Sequence, residues 1–97
     1  MNKSGKDGEK AKQNRILAGK RIRQYRNSAG LTQMEFAKRV NQNYYSFISQ
    51  VETGFAKIQY CDIGLWAEAL GVSTPVFAAD ILSFYEPELS DALREVK

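Results

Sequence analysis

An all-α domain is the fold that this 97-residue chain predicts. Three observations carry the prediction. Apolar residues recur at helical spacing in one segment after another. Helix-starting and helix-ending residues fall between those segments. No stretch alternates apolar and polar residues as a half-buried strand would. The clearest segment is Leu31 to Gly54, LTQMEFAKRVNQNYYSFISQVETG. It reads as two short helices joined by a tight polar turn.

Taken in order, the chain opens with MNKSGKDGEKAKQN, residues 1–14, which holds almost no apolar side chain. Such a stretch buries too little to offset its ordering entropy, so it is expected to be a disordered arm carrying Lys3, Lys6, Lys10 and Lys12. A basic arm can track phosphates, but a solvated tail is the commoner outcome. The first helix is expected over Arg15–Ala29. Ala18, Ile22 and Arg26 share one face with Tyr25 beside them, and Gly30 stops it.

The second helix is expected over Thr32–Val40. Thr32-Gln33-Met34-Glu35 is a capping box, in which hydroxyl and carboxylate each answer the other residue's backbone N–H. Asn41-Gln42-Asn43 breaks the pattern, and a third helix follows over about Tyr44–Thr53. Tyr44, Phe47, Ile48 and Val51 form its apolar face. Tyr45, Ser46, Ser49, Gln50 and Thr53 form the other. That second face is polar yet uncharged, whereas a merely solvated face would carry more Lys and Glu.

Gly54 closes the third helix. The fourth is expected from Gln59 or Tyr60 to Leu70, with Ile63, Trp66, Ala67 and Leu70 as its stripe and Gly71 at its end. Ser73-Thr74-Pro75 is a capped start for the fifth, which turns Phe77, Ile81 and Phe84 inward. Pro87 interrupts, and Glu88–Val96 is expected as a last short helix with Leu89, Leu93 and Val96 on one side. The chain therefore divides into a basic arm (1–14), a helical domain (15–85) and an acidic extension (86–97).

Composition narrows the functions available. Residues 1–57 hold twelve Lys/Arg against four acids, and residues 58–97 hold two against seven. One basic half points to an anionic partner. Histidine is absent, so the commonest general base and metal ligand are missing. A lone Cys61 makes neither a zinc site nor a disulfide, and it has no cation beside it to activate its thiol. No glycine loop for phosphate lies between a strand and a helix. No enzyme, metal or cofactor is expected. No apolar run nears the roughly 20 residues of a membrane span, and none near Met1 marks a leader, so a cytoplasmic, nucleoid-associated protein is expected.

The combination LTQMEFAKRV, ISQVETG and LWAEALGVS resembles the lambda-repressor-like helix-turn-helix family of the Cro and Xre type. The resemblance spans about Ile22 to Ile81. It implies a compact five-helix DNA-binding domain whose third helix enters the major groove, in proteins that are mostly prokaryotic and phage repressors, activators and antitoxins, usually dimeric. Two departures stand out. The stretch from Thr32 to Glu52 is one residue longer than the usual pattern, which places the extra residue in Asn41-Gln42-Asn43. Ile58 and Gln59 replace the proline and serine common before the fourth helix.

Position by position, the resemblance places base reading on Tyr45, Ser46 and Gln50, with Ser49 on the same face. It places a phosphate contact on Gln33, and an inward ion pair on Arg26 and Glu52. The chemistry agrees with the first set: a glutamine amide pairs bidentately with adenine, and hydroxyls bond bases or phosphates. Arg21, Arg23, Lys38, Asn43, Lys57 and Thr53 complete the expected phosphate contacts. Trp66 reads as core. The expectation is a sequence-specific regulator of transcription, acting as a repressor, homodimeric through its C-terminal half, on a pseudo-palindromic duplex site. Leu82, Phe84, Tyr85, Leu89 and Leu93 are the expected dimer surface, unless they fold back on the fourth and fifth helices. The alternative is an antitoxin-like module that neutralises a protein partner.

Overall fold

A computed structural model describes residues 3–40 and 45–95. They form six helices with no strand among the described residues: α1 (Lys3–Ser28), α2 (Gln33–Arg39), α3 (Tyr45–Thr53), α4 (Ile63–Leu70), α5 (Thr74–Tyr85) and α6 (Pro87–Arg94). None of them is long and apolar enough to cross a membrane. Tyr44 and Asn41-Gln42-Asn43, to which the extra residue is assigned, lie outside the described residues, as does Val96.

Local signals set the helix ends. The Thr32 hydroxyl accepts from the Glu35 N–H at 3.1 Å, and Glu35 Oε1 accepts from the Thr32 N–H at 2.9 Å. These bonds, the Thr32 backbone donor first, hold the Glu35 carboxyl below the ordinary carboxylate range. A lowered carboxylate stabilises the fold above its unfolded pKa, and that contribution is lost as pH falls through the folded value. An NMR titration should show Glu35 ionising at lower pH than an unperturbed glutamate. Thr32→Ala removes only the hydroxyl half of the box and keeps the larger backbone contribution, so it should raise the Glu35 pKa only part of the way toward about 4.3. A wild-type Glu35 that titrates as an unperturbed glutamate would mean the box is not formed in solution.

Gly30, Gly54 and Gly71 end α1, α3 and α4 at φ values of 73°, 85° and 73°, which side chains with a Cβ rarely adopt. The Ser73 hydroxyl accepts from the Val76 N–H, and Pro75 sits in the first turn of α5. The fourth helix starts later than the sequence suggests. Tyr60–Asp62 is a 3₁₀ turn, and the α-helix proper begins at Ile63.

The largest departure concerns the amino-terminal stretch. Residues 1–14 are expected as a disordered arm, but α1 begins at Lys3 and runs for 26 residues, about 39 Å. Lys10 Nζ reaches Glu88 on α6 at 3.0 Å, and Arg15 Nε donates to the Gly54 carbonyl at 2.9 Å. The Lys10 ammonium draws the Glu88 carboxyl below its usual range. Within the extension, Lys10 thus meets a partner far away in the chain, in an exposed pair that a local reading of apolar content does not weigh.

One core unites the helices. Ile22, Phe36, Val40, Ile48, Val51, Ile58, Trp66, Phe77 and Ile81 are fully buried, and Trp66 meets Phe36 edge to face at 5.1 Å between centroids. Tyr85 joins them, its hydroxyl accepting from the Ile58 N–H at 3.2 Å. Tyr85 is therefore core and not part of an open dimer surface. Phe84 is half-buried against the same core. Leu89 and Leu93 remain exposed, because α6 turns Ser90 inward instead.

Candidate nucleic-acid interface

Helix α3 is held between α1 and α2. Ile48 and Val51 anchor its inner face with no exposure, and Phe47 packs half-buried against Trp66. The same periodicity turns Tyr45, Ser46 and Gln50 outward, all exposed, with Ser49 half-buried beside them. An exposed row of one phenol, two hydroxyls and one amide can donate to and accept from base edges without repelling phosphate.

Two devices fix the angle at which α3 leaves the core. The first is ionic. Arg26 on α1 and Glu52 on α3 are 7% and 5% exposed. Arg26 Nε donates to Glu52 Oε2 at 2.5 Å and Nη2 to Oε1 at 3.0 Å, while Nη1 donates to the Leu31 carbonyl at 2.8 Å. The guanidinium fork thus ties α1 both to α3 and to the entry of α2. Gln33 Nε2 adds a third donor to Glu52, at 3.0 Å from Oε1.

The second device is a close approach. A Cβ at Gly19 would overlap the carbonyl oxygens of Val51 and Glu52, and one at Gly54 would lie 2.7 Å from Ile16 Cγ1. So α1 crosses the carboxyl end of α3 with backbone nearly against backbone. Nothing in the spacing of apolar residues marks Gly19. A glycine in mid-helix, at the i+4 step before Arg23 and the i+7 step before Arg26, is the one signal available.

The expected phosphate contacts divide in two. Arg23 and Lys38 are exposed cations with no ion pair among the described residues, and Arg23 shares the Gly19–Arg26 side of α1 that faces α3. Gln33 keeps one amide hydrogen free after its bond to Glu52. The others are engaged. Arg21 donates to Asp80 on α5 at 2.6 Å and to Gln24 at 3.0 Å, and its guanidinium lies 4.7 Å from the Tyr25 ring. The Asp80 hydrogen bond, outweighing burial, raises the Arg21 pKa. Burial, with the Asp80 bond second, also raises that of Tyr25, whose hydroxyl donates to the same carboxylate at 2.7 Å.

Lys57 donates to the Tyr60 hydroxyl at 2.7 Å and lies 3.5 Å from Glu86. Burial opposes its charge, but the Tyr60 hydroxyl and the Glu86 carboxylate outweigh that and raise its pKa. The Thr53 hydroxyl donates back to the carbonyls of Ser49 and Gln50, 3.0 and 3.3 Å away, so its proton is already in use. Asn43 lies outside the described residues. No family model and no curated protein matches this chain.

Proposed function

We propose that this protein is a sequence-specific, double-stranded-DNA-binding regulator of the lambda-repressor-like type, which reads the major groove with α3 and acts as a repressor. The observation that carries the reading is the outer face of α3. Tyr45, Ser46, Ser49 and Gln50 form an uncharged, hydrogen-bonding row on a short helix that a buried ion pair clamps to its neighbours. Exposed Arg23 and Lys38 supply salt-dependent affinity, and the α3 face supplies choice of sequence. One such unit reads few base pairs. A homodimer, with α6 and its exposed Leu89 and Leu93 at the contact, would double the readout on a pseudo-palindromic site.

The antitoxin-like alternative draws on the same exposed leucines, set in an acidic helix and available to a protein partner. Selecting bound duplexes from a random pool separates the two readings. A recovered consensus supports the regulator, and no binding even at low salt supports the protein-binding module.

On the recovered site, Gln50→Ala should cost about 1–3 kcal/mol of binding and relax choice at one base pair. A loss spread evenly over all sequences would assign Gln50 to the backbone instead. Arg23→Ala and Lys38→Ala should each lower the log–log salt slope by about one, with the consensus intact. Arg21→Ala should leave that slope unchanged, because Asp80 already neutralises the charge. A reduced slope for Arg21→Ala would show that the Asp80 pair opens on binding.

A further inference from the structure

Beyond the carboxyl end of α3 lies a groove of about 460 Å³ lined by Lys12, Arg15, Thr53, Gly54 and Phe55. Phe55 is 78% exposed, the most of any large apolar side chain among the described residues. A single exposed apolar side chain is ordinary on a protein surface, so Phe55 gains its weight here from the cations that share its groove. We propose that this groove binds the sugar–phosphate backbone of duplex DNA flanking the bases read by α3, with Phe55 against deoxyribose and Lys12 and Arg15 on phosphate.

Position, charge and chemistry support it. Thr53 stands one turn beyond Ser49 and Gln50 on the outer face of α3 and also lines the groove, so the groove continues the reading face. Carboxyl ends of helices normally repel phosphate. Here that end is partly satisfied: the Gly54 N–H donates to the Val51 carbonyl, and the Phe55 and Ala56 N–H groups both donate to that of Gln50. The Gly54 carbonyl in turn accepts from Arg15 Nε, which leaves the two Nη groups of Arg15 without a partner among the described residues. Lys12 is exposed, one turn before Arg15 on α1. Cations beside an exposed ring can meet the phosphates and apolar sugar edges of a nucleic-acid backbone, and continuity with the outer face of α3 through Thr53 favours that occupant over an acidic peptide.

The inference rests on the DNA reading proposed above. It is tested with the full chain on the duplex recovered by selection, in a flanked form and in a form trimmed to the base pairs that the selection fixes. The wild-type protein should bind the trimmed duplex more weakly and with a shallower salt slope. Phe55→Ser and Lys12→Gln, both at exposed positions, should bind the flanked duplex roughly fivefold or more weakly, keep the same consensus, and lose little further on trimming. Unchanged melting temperatures for both variants keep the comparison clean. Wild-type binding by the two variants on both duplexes would overturn the inference while leaving the DNA reading intact. So would displacement of a polyglutamate probe by the same substitutions with DNA binding unaffected. If no duplex is selected at any salt, the DNA reading and the groove assignment fall together.

Discussion

Arg26→Met and Glu52→Leu should each cost on the order of 3–5 kcal/mol in urea unfolding, and the double variant should cost much less than their sum. Each single change leaves a partner in place with almost no exposure. Without Glu52, the Arg26 charge keeps only the Leu31 carbonyl; without Arg26, the Glu52 carboxylate keeps only Gln33. Desolvating an unpaired ion is far more expensive than the net worth of the pair, which is why the two losses are not independent. The double variant is still expected to lie below the wild type, since the Leu31 carbonyl and the Gln33 amide each lose a partner. Simple additivity of the two single losses would show that the pair carries no coupling and does not clamp α1 to α3. Gln33→Leu is a milder probe of the same cluster: it removes one of three donors from Glu52 and leaves both charges paired.

Gly19→Ala should destabilise by about 2–3 kcal/mol, and for a domain of this size that lowers Tm by roughly 10 °C or more. Ordinary helix propensity predicts the opposite sign, because alanine replaces glycine in a helix interior with a gain of about 1 kcal/mol. The steric term wins because the atoms in the way are backbone carbonyls of Val51 and Glu52, which cannot swing aside as a flexible side chain can. Gly64→Ala in α4 is the matched control. A Cβ there meets only Thr74 Cγ2, at 4.0 Å, so this change should stabilise. Equal effects of the two substitutions in thermal melts would show that α1 stands further from α3 than the structure has it. On the proposed reading of DNA by α3, Gly19→Ala should also weaken DNA binding more than its effect on the folded fraction explains.

These two positions show what the sequence conveys and what it hides. The Arg26–Glu52 pair was legible. An arginine on the inward stripe of a helix, and an acid at the negative end of another, are each out of place alone and make sense together. The Thr32–Glu35 box, the glycine stops and the Ser73–Pro75 start were legible for a similar reason, since every partner lies within a few residues. Gly19 was not, because its neighbour is a carbonyl 32 residues further on, and a missing side chain leaves no pattern. The same blindness affected the cations. Arg21 and Arg23 look alike in sequence, yet one meets Asp80, 59 residues away, and the other meets no acid among the described residues. Lys10 and Lys57 similarly find Glu88 and Glu86 across the fold. The amino-terminal stretch looked unable to order itself for want of apolar content, while Lys10 within it meets Glu88 on α6.

The burial of α1 between α3 and α5 sets an order of assembly. Its first apolar stripe, Ala18 and Ile22, emerges early in synthesis, but the residues that cover it come much later. Val51 arrives about 30 residues behind, and Phe77 and Ile81 more than 50 residues behind. The α2–α3 pair can gather locally while α1 waits. The core closes only once α5 has left the ribosome, and Tyr85 then locks the Ile58 loop beneath it. A chain halted before α5 would leave the α5-facing sides of α1 and α4 uncovered, even with α1 already against α3. The segment from α5 onward thus completes a core that the earlier helices can only begin.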